Sequence, residues 1–570
     1  MIKKILLSSF SFLDNDLKKK IINLQFLYFF NSAAEFLNVS LFYAFLNSIF
    51  YTDQNSYLGI YFKSLFNLQL NSFFGILFIV IIFFLSNLST VFLNYKIYYI
   101  SENISSALSV KFYKKIFLTK FEIFNKYHPS EIIKKINNEI PILSTGIFQP
   151  LLIFFAKLFI LIFFAIFIFV TLDYKTSLFF LILIIIYISI FIFFKKRLFN
   201  YGKKVSEFLS STNKILYETL NNFQIIKLLS KENFFSNFLE KNLYEQAKIK
   251  SYGYLIGQFP KSLIEFLIFA TFAFSFLLLD KQDNESIIKL LPVLGTVAFI
   301  GYRVLPIGQQ LYSSFTMIKN SSFILDTIKN NFKSFESEDI IKVKKNNYDN
   351  LRKIFNLHLK NIKFRYNEAK SNIFENFSYN FKSNNIYLIN ANSGKGKTTL
   401  VNIIMGFLKP SSGNIILNDK YYLNNQNINF YRKKISFLPQ FTFLFDANLY
   451  QNVTLDFLEN NKYNNRAFLE SLKCSNLYKE LKYYIDHNSK KLGHKGSDLS
   501  GGQIQRIALA RVFFNNRNIL IFDEPTNNLD SKNKKIILEN ILKLKKDRII
   551  IILSHDSDIL KYSNKVINLK

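Results

Sequence analysis

Long runs of hydrophobic residues dominate the first half of the chain. Six stretches reach or approach the about 20 apolar residues that a membrane-spanning helix needs, and they lie near residues 22–50, 72–97, 144–172, 176–195, 252–279 and 286–315. Runs such as FFAKLFILIFFAIFIFV are apolar on every face, which favours burial in lipid over the core of a soluble protein. The pattern predicts a transmembrane domain over residues 1–318, with six helices and an amphipathic N-terminal elbow helix on the inner membrane surface.

The pattern changes after residue 318. Residues 319–350 are polar and charged, which predicts a linker. Beyond it, short apolar segments alternate with helical patterns, and this predicts an α/β domain with a largely parallel sheet over residues 351–570. The expected fold is therefore a polytopic α-helical membrane domain, with long cytoplasmic helical extensions, fused to an α/β domain.

Charge gives the orientation. The chain has 72 Lys and Arg against 40 Asp and Glu, and the basic residues concentrate in the loops that follow the second and fourth predicted spans. The positive-inside rule places both long loops, both termini and the α/β domain in the cytoplasm. Apolar residues three and four apart in LSVKFYKKIFL and VSEFLSSTNKILYETL predict that these loops are helical. Biased base composition would also explain part of the lysine excess, and no base-reading module is recognisable, so we expect no nucleic-acid partner.

The sequence ANSGKGKTT at residues 391–399 follows the predicted strand IYLIN and precedes a predicted helix, the context of a phosphate-binding loop. Lys397 would supply a positive charge to the β and γ phosphates, and the Thr398 hydroxyl is a candidate Mg²⁺ ligand. Ala391 stands where the pattern has its first Gly, and we expect it to be tolerated if its φ is negative. The predicted nucleotide-binding residues of this loop are Asn392, Ser393, Gly394, Lys395, Gly396, Lys397, Thr398 and Thr399.

Two further motifs complete a catalytic set. The apolar run NILIFDE ends in Asp523, suited to hold Mg²⁺ through water, and Glu524, placed to polarise an attacking water. The segment LSGGQ predicts a second group of phosphate-binding N–H groups at a helix start. Its candidate binding residues are Ser500, Gly501, Gly502 and Gln503.

In this order the motifs resemble those of the ABC ATPases, the family that LSGGQ separates from other phosphate-loop proteins. The resemblance implies ATP and Mg²⁺ as cofactors and a homodimer, in which each nucleotide lies between the phosphate loop of one subunit and the LSGGQ of the other. It also assigns roles to four more residues. Gln440 would sense Mg²⁺ as a catalytic and metal residue, His555 would hold the γ-phosphate, Asp530 would signal across the dimer, and Tyr366 would stack on adenine.

One stretch departs from the exporter branch of that family. Exporters usually have TEVGERG before LSGGQ, whereas this chain has KKLGHKG, with Lys491 and His494 at the glutamate positions. Both glycines of the pattern remain. We expect the ATP chemistry to be unaffected and the surface that contacts the cytoplasmic helices to be more basic.

Ionisable residues within the predicted spans are the best clue to the cargo, because a charge in mid-bilayer is costly unless it is paired or solvated. Glu35, Lys261, Glu265 and Arg303 are the candidate substrate-pathway residues. Lys261 and Glu265 could pair at i, i+4. Buried pairing, for instance of Glu35 with Arg303, is the alternative to substrate contact.

Local patterns also resemble the bacterial lipid-linked oligosaccharide flippases that serve protein N-glycosylation. They include Glu35 in the first span, YR-xx-P in the sixth, SEIIKKI before the third, and LNNFQIIKL in the second cytoplasmic segment. This implies an ATPase that flips a polyprenyl-pyrophosphate-linked oligosaccharide or related glycolipid across the bacterial inner membrane, with buried cations such as Arg303 facing the pyrophosphate. The alternatives are a lipid A or multidrug-type exporter of amphiphiles, and a peptide exporter, which often carries an N-terminal peptidase that we do not expect here.

Overall fold

The chain divides into two compact units. One comprises Met1–Thr119 with Ile123–Glu336, and the other Lys120–Glu122 with Ser337–Lys570. The structure, a computed structural model, describes residues 9–50, 73–171, 174–277, 284–335, 353–366, 371–391, 394–457, 465–487, 489–493 and 496–569.

Long helices make up the described part of the first 335 residues. Two π-helical turns, Lys135–Glu139 and Ser144–Phe148, join three helical pieces into one continuous segment. The helices are α1 (Asn15–Phe50), α2 (Phe73–Phe117), α3 (Phe121–Phe124), α4 (Pro129–Lys134), α5 (Ile140–Leu143), α6 (Gln149–Thr171), α7 (Tyr174–Asn221), α8 (Phe223–Leu228), α9 (Glu232–Leu277) and α10 (Asn284–Ser334).

Each of the six predicted apolar stretches falls in one of the long helical segments, apart from end residues outside the described ranges. Two of these segments, Phe73–Phe117 and Pro129–Ile166, are long and apolar enough to cross a membrane. That test rests on length and composition and covers the described residues alone. Six spans therefore stay a prediction. Of the N-terminal segment predicted as the elbow helix, residues 1–8 lie outside the described residues, and the long helix α1 already begins at Asn15.

The helices continue well beyond the apolar stretches. At 1.5 Å per residue, the 48 residues of α7 extend over about 70 Å, against about 30 Å for the hydrocarbon core of a bilayer. Both basic segments that were predicted to be helical lie almost wholly within α2 and α7. The expectation of long helical extensions is confirmed.

The predicted linker needs a correction, because its first half is helical. Helix α10 continues to Ser334, and Ile324, Leu325 and Ile328 are buried on one side of it. The composition of this segment is that of a linker. Its three buried apolar residues nevertheless lie at helical spacing and pack within the first unit, which stabilises the helix. Residues 336–352 of the predicted linker lie outside the described residues.

The second unit contains two sheets. A parallel sheet has the strand order β6-β7-β8-β3-β9, and an antiparallel sheet has the order β2-β1-β4-β5. Strand β8, IIIIL, is buried along its whole length, as expected for a central strand covered on both faces. The strands are β1 (Asn356–Phe364), β2 (Phe374–Lys382), β3 (Asn385–Asn390), β4 (Ser412–Leu417), β5 (Tyr421–Tyr422), β6 (Ile435–Leu438), β7 (Ile519–Asp523), β8 (Ile549–Leu553) and β9 (Lys565–Asn568).

Helices connect and cover these strands, so the predicted α/β organisation is confirmed. Apolar side chains of the parallel sheet enter two buried clusters, one shared with the antiparallel sheet and one with the helices of the opposite face. The helices are α11 (Lys397–Ile404), α12 (Ile428–Arg432), α13 (Leu449–Thr454), α14 (Asn465–Cys474), α15 (Lys482–Asp486), α16 (Gly501–Asn515), α17 (Ser531–Lys543) and α18 (Ser557–Leu560).

Candidate functional site

Three neighbouring strands bring the main catalytic candidates to one edge of the parallel sheet. Asp523 at the end of β7 pairs with Leu553 of β8, and Ile389 of β3 pairs with Leu553 from the other side. Glu524 follows β7, His555 follows β8, and the phosphate loop follows β3. Ligands of open α/β sheets bind at such carboxyl ends.

The phosphate loop turns sharply into α11. Gly394 and Gly396 have φ values of 83° and 87°, a region that favours glycine, and a Cβ on Gly396 would lie 2.7 Å from the side chain of Ile373. Helix α11 begins at Lys397, so its free N–H groups point to the loop. Ala391 is buried and does not have a positive φ, which confirms that an alanine fits this position.

Tyr366 lies beside the start of α11. Its hydroxyl is 3.3 Å from the Thr399 hydroxyl, and its ring packs edge-on against Phe364 at 5.0 Å between centroids. With 39 % of its surface exposed, the ring retains a free face next to the phosphate loop, as a base-stacking residue requires. Thr398 is exposed, as is Lys395. Two predicted binding residues lie outside the described residues: Asn392 and Ser393.

Lys397 and His555 are in contact, although 158 residues separate them in the sequence. The Lys397 ammonium lies within hydrogen-bonding distance of His555 Nε2. Since an ammonium group only donates hydrogen bonds, Nε2 takes the acceptor role. The two side chains predicted to hold the same phosphate are thus brought to one point.

Asp523 and Glu524 present two adjacent carboxylates. Burial, and next the charge of Glu524, raise the pKa of Asp523 above its ordinary value, while the Lys397 ammonium opposes the rise. Glu524 has a φ of 50°, which is uncommon for a residue with a side chain. Its carboxylate accepts a hydrogen bond from the Ser554 hydroxyl at 3.0 Å. A cation near Asp523 would relieve the repulsion between the two carboxylates.

These residues fit Mg²⁺. The ion prefers hard oxygen ligands and usually keeps several waters beside one or two protein groups and the substrate phosphates. Thr398 and Asp523 would supply a hydroxyl and a partly buried carboxylate. Burial and then the charge of Glu524 raise the pKa of Asp523, and a divalent ion beside it would favour the ionised carboxylate.

The LSGGQ segment opens α16 as predicted, but the Ser500 hydroxyl already has an internal role. Ser500 is the N-cap, and it exchanges hydrogen bonds with Gln503 in a capping box. Gly502 is required by a close approach, because a Cβ there would lie 2.9 Å from the Asn528 carbonyl oxygen. A Cβ on Gly501 would meet nothing within 4 Å. Gly501 is exposed at this helix start, and its N–H is a group that could face a phosphate.

Asp530 and Gln440 have different surroundings. Asp530 is the N-cap of α17, and hydrogen bonds from Asn533 hold the pKa of its carboxyl below the usual range. Gln440 follows β6 and is exposed. Its proximity to the other candidate residues stays a prediction.

The sequence reasoning missed an ion pair that braces the LSGGQ helix. Arg506 is almost fully buried and forms two hydrogen bonds with the Glu480 carboxylate, at 2.6 and 2.7 Å. Glu480 also accepts a hydrogen bond from Gln503 of the capping box at 3.3 Å. Arg506 also donates a hydrogen bond to the Asn533 side chain. Asn533 in turn donates to Asp530, the N-cap of the helix Ser531–Lys543. No sequence signal links Glu480 to Arg506, which lie 26 residues apart.

The altered KKLGHKG stretch has a partner within the second unit. Lys491 forms an ion pair with Asp446 at 3.2 Å, and the adjacent Leu492 is fully buried. The lysine at this position is therefore compensated by a carboxylate 45 residues earlier. His494 lies outside the described residues.

In the first unit, polar side chains meet at the contact of α1 and α2. Glu35 is buried and accepts hydrogen bonds from Thr90 at 3.0 Å and from Asn31 at 3.5 Å. Asn38 also bonds Ser86 across the two helices. Glu35 makes no ion pair with a described residue, so the pairing of Glu35 with Arg303, weighed from the sequence, is not found.

The remaining ionisable candidates fall into two groups. Lys157 is 9 % exposed and interacts electrostatically with Glu35 and Arg303, and the Arg303 guanidinium lies 4.7 Å above the Phe83 ring. The Arg303 Nη2 atom is buried without a hydrogen-bond partner among the described residues. Lys261 and Glu265 instead form the predicted i, i+4 pair at 3.7 Å, and both side chains are partly exposed.

Two protein-family models match the chain. The model of the ABC transporter transmembrane region matches residues 21–290, and the ABC transporter model matches residues 374–527, which includes the phosphate loop and LSGGQ. The chain belongs to the ABC transporter family. It joins a membrane domain to an ABC ATPase domain, and it is accordingly a membrane protein.

A solved structure and several curated proteins that resemble this chain are also ABC transporters. The fold resembles the structure of a bacterial Atm1-family ABC exporter with ATP bound, with a TM-score of 0.76, 15 % identity and coverage of 98 % of this chain and 94 % of the other. A probable ABC transporter ATP-binding/permease protein of Haemophilus influenzae is 30 % identical over 39 % of each chain.

Two other relatives have more specific names. The alpha-hemolysin translocation ATP-binding protein HlyB of Escherichia coli is 31 % identical over 37 % of this chain, and the lactococcin-A transport/processing protein LcnC of Lactococcus lactis is 32 % identical over 37 %. In each of these two the match covers 29 % of the relative's length. The chain thus matches well under half the length of these curated relatives.

Proposed function

We propose that this ABC transporter hydrolyses ATP to flip a polyprenyl-linked oligosaccharide or related glycolipid across the bacterial inner membrane, as a homodimer with cytoplasmic ATPase domains. The observation that carries the ATPase part is the convergence of Lys397, Asp523, Glu524 and His555 at one edge of the parallel sheet. The buried charges of the first unit support the cargo.

Each residue at the sheet edge has a chemical task. Lys397 and the N–H groups of α11 bind the phosphates, and His555, which lies beside Lys397, orients the γ-phosphate. Glu524 accepts a proton from the attacking water. Mg²⁺, when bound, neutralises charge that develops on the phosphate oxygens. Thr398 and Asp523 would hold it, and Gln440 would sense it. Tyr366 would exclude water from one face of the base.

The position of LSGGQ supports the proposed homodimer. The free N–H groups around Gly501 begin a helix different from the one that follows the phosphate loop, and each helix start offers half of a phosphate site. A second copy that supplies Gly501 to the phosphate loop of the first would complete both halves. Asp530 bonds Asn533, which accepts a hydrogen bond from Arg506 of α16, so a signal between the subunits could pass from Asp530 to the LSGGQ helix.

The cargo proposal rests on buried cations. The cluster contains two cations, Lys157 and Arg303, and one anion, Glu35. The buried Nη2 of Arg303 donates no hydrogen bond to a described residue. A pyrophosphate accepts several charge-assisted hydrogen bonds and would satisfy such donors. Lys261 and Glu265, on the more exposed face of α9, would line the path of the headgroup.

A second candidate is export of a polypeptide. It is favoured by the names of two relatives, which refer to alpha-hemolysin translocation and to lactococcin transport.

A multidrug-type export of amphiphiles is favoured by another relative, the multidrug resistance protein 1 of Entamoeba histolytica, 30 % identical over 37 % of this chain.

Reconstitution distinguishes these cargoes. The full chain is placed in proteoliposomes with a fluorescent polyprenyl-pyrophosphate oligosaccharide, a fluorescent phospholipid or a labelled peptide, and ATP-dependent translocation of each is measured. Arg303→Gln and Lys157→Gln should slow the oligosaccharide at unchanged basal ATPase, while Glu524→Gln stops every transport. ATP-dependent movement of the phospholipid or peptide, with the oligosaccharide unmoved, would replace the proposed cargo by that one.

A further inference from the structure

Glu524 is held on three sides. Its N–H donates to the Leu553 carbonyl at 2.9 Å, and its own carbonyl accepts a hydrogen bond from Gln505 at 3.1 Å. These contacts fix a backbone with a φ of 50°, a conformation that persists only where its surroundings determine it. The third contact is to the side chain, and it comes from Ser554.

The Ser554 hydroxyl has a fixed direction. Ser554 is 1 % exposed, and its Oγ accepts a hydrogen bond from the Asp556 N–H at 3.1 Å. A hydroxyl has a single hydrogen, and the amide of Asp556 can only donate to it. The hydrogen of Ser554 is therefore directed to Glu524 Oε2, 3.0 Å away.

The turn that carries Ser554 is itself anchored. The Asp556 carboxylate caps α18, contacts the Lys534 ammonium and accepts a hydrogen bond from Thr526 at 3.4 Å. Lys534 also pairs with Asp558 at 2.9 Å. Because Asp556 is held from three directions, its N–H stays in place and so does the hydroxyl that it orients.

We propose that Ser554 is a positioning residue for Glu524. By holding Oε2, it leaves Oε1, which accepts no hydrogen bond from a described residue, to face the attacking water. The inference rests on the proposed role of Glu524 as the base in ATP hydrolysis. Ser554 also directly precedes His555 in the sequence. The segment after β8 therefore carries both the residue that positions Glu524 and the residue proposed to hold the γ-phosphate.

The test uses two substitutions of nearly equal shape. Ser554→Thr keeps the hydroxyl and Ser554→Val removes it, so any effect of the added volume is common to both. In the full chain, kcat of Ser554→Val should fall roughly tenfold to a hundredfold below that of Ser554→Thr, the usual effect of losing a hydrogen bond to a charged group. The KM for ATP, and the Kd of a fluorescent ATP analogue, should differ by less than about threefold between the two variants.

Two comparisons make the test specific. Ser475 is equally buried and donates to the Leu472 carbonyl, remote from the catalytic edge, so Ser475→Ala should keep the wild-type kcat. In a Glu524→Gln background, Ser554→Val should cause no further loss, because the group that it positions is gone. Thermal unfolding of each variant shows that it is folded.

The outcomes separate the two proposals. A wild-type chain without ATPase activity would overturn the proposed function. An active wild type in which Ser554→Val and Ser554→Thr have the same kcat would overturn the positioning role alone. An equal loss from Ser554→Val with and without Glu524 would overturn it too, since Ser554 would then act independently of that carboxylate.

Discussion

The Lys397 ammonium meets the His555 imidazole at the carboxyl edge of the parallel sheet. One side chain comes from the helix after β3 and the other from the segment after β8, and these strands are direct neighbours. A phosphate group beside this contact could accept hydrogen bonds from both side chains. The contact is the structural basis for assigning the γ-phosphate position to this part of the site.

Removing the Lys397 charge should weaken ATP binding. We expect Lys397→Ala to raise the Kd for a fluorescent ATP analogue about tenfold to a hundredfold, because a charge-assisted hydrogen bond to the phosphates is lost. Lys420→Ala is the control, since Lys420 is exposed beside Tyr421 and outside the site. Equal affinities for the two variants in equilibrium titration would remove Lys397 from phosphate binding.

The Glu480–Arg506 pair should make stability depend on pH. Hydrogen bonds from Arg506 lower the pKa of Glu480, so the ionised carboxylate stabilises the folded state above its unfolded pKa and this gain is lost as the pH falls through the folded pKa. Because Glu480 is 38 % exposed, we expect only about 1 kcal/mol from Glu480→Gln at pH 7, a loss of about 2–4 °C in Tm.

The measurement is thermal unfolding of the purified chain between pH 7 and pH 4. The difference between wild type and Glu480→Gln should narrow at acid pH. Glu470→Gln is the matched control, because Glu470 forms an exposed pair with Arg466 that should contribute little. A Glu480→Gln difference that is constant over this range would show that the charge of Glu480 is not what stabilises the helix.

The dimer can be tested by cross-linking. The only cysteine, Cys474, is replaced by Ser, and Lys395→Cys and Gly501→Cys are introduced together. Lys395 is exposed, and a side chain at Gly501 meets nothing within 4 Å, so both changes should be tolerated. With ATP and the Glu524→Gln substitution, oxidation should give a covalent dimer on denaturing gels.

Chains with a single introduced cysteine should stay monomeric on the same gels. If the double-cysteine chain also yields no dimer, while ATP binding is retained, the sandwich of phosphate loop and LSGGQ between two copies is wrong for this protein.

Features that depend on residues close together in the sequence could be predicted from local sequence patterns. The phosphate loop, the end of β7 and the LSGGQ helix start were located from spacing, because each is a short strand-to-helix or loop-to-helix transition. The phosphate loop and the end of β7 meet at one edge because the strands of a parallel sheet all end on the same side. The condition stated for Ala391, that its φ must not be positive, could be given for the same reason, and the structure meets it.

Other features depend on distant contacts and could not be predicted. The partner of Lys491 is Asp446, and the partner of Arg506 is Glu480, and neither pair has a sequence spacing that marks it. Residues 319–334 have the composition of a linker, yet the buried Ile328 holds them in a helix. The capping box in which the Ser500 hydroxyl takes part was likewise not predicted from LSGGQ.

The most direct test of the ATPase mechanism is phosphate release by the purified full chain with Glu524→Gln, alongside ATP binding. Glu539→Gln, on the exposed face of α17, is the control. We expect Glu524→Gln to retain ATP and to release phosphate about 10²–10⁴-fold more slowly than wild type, as loss of a general base predicts. Phosphate release at the wild-type rate would contradict the assignment of Glu524 as the base, and with it the proposed catalytic site.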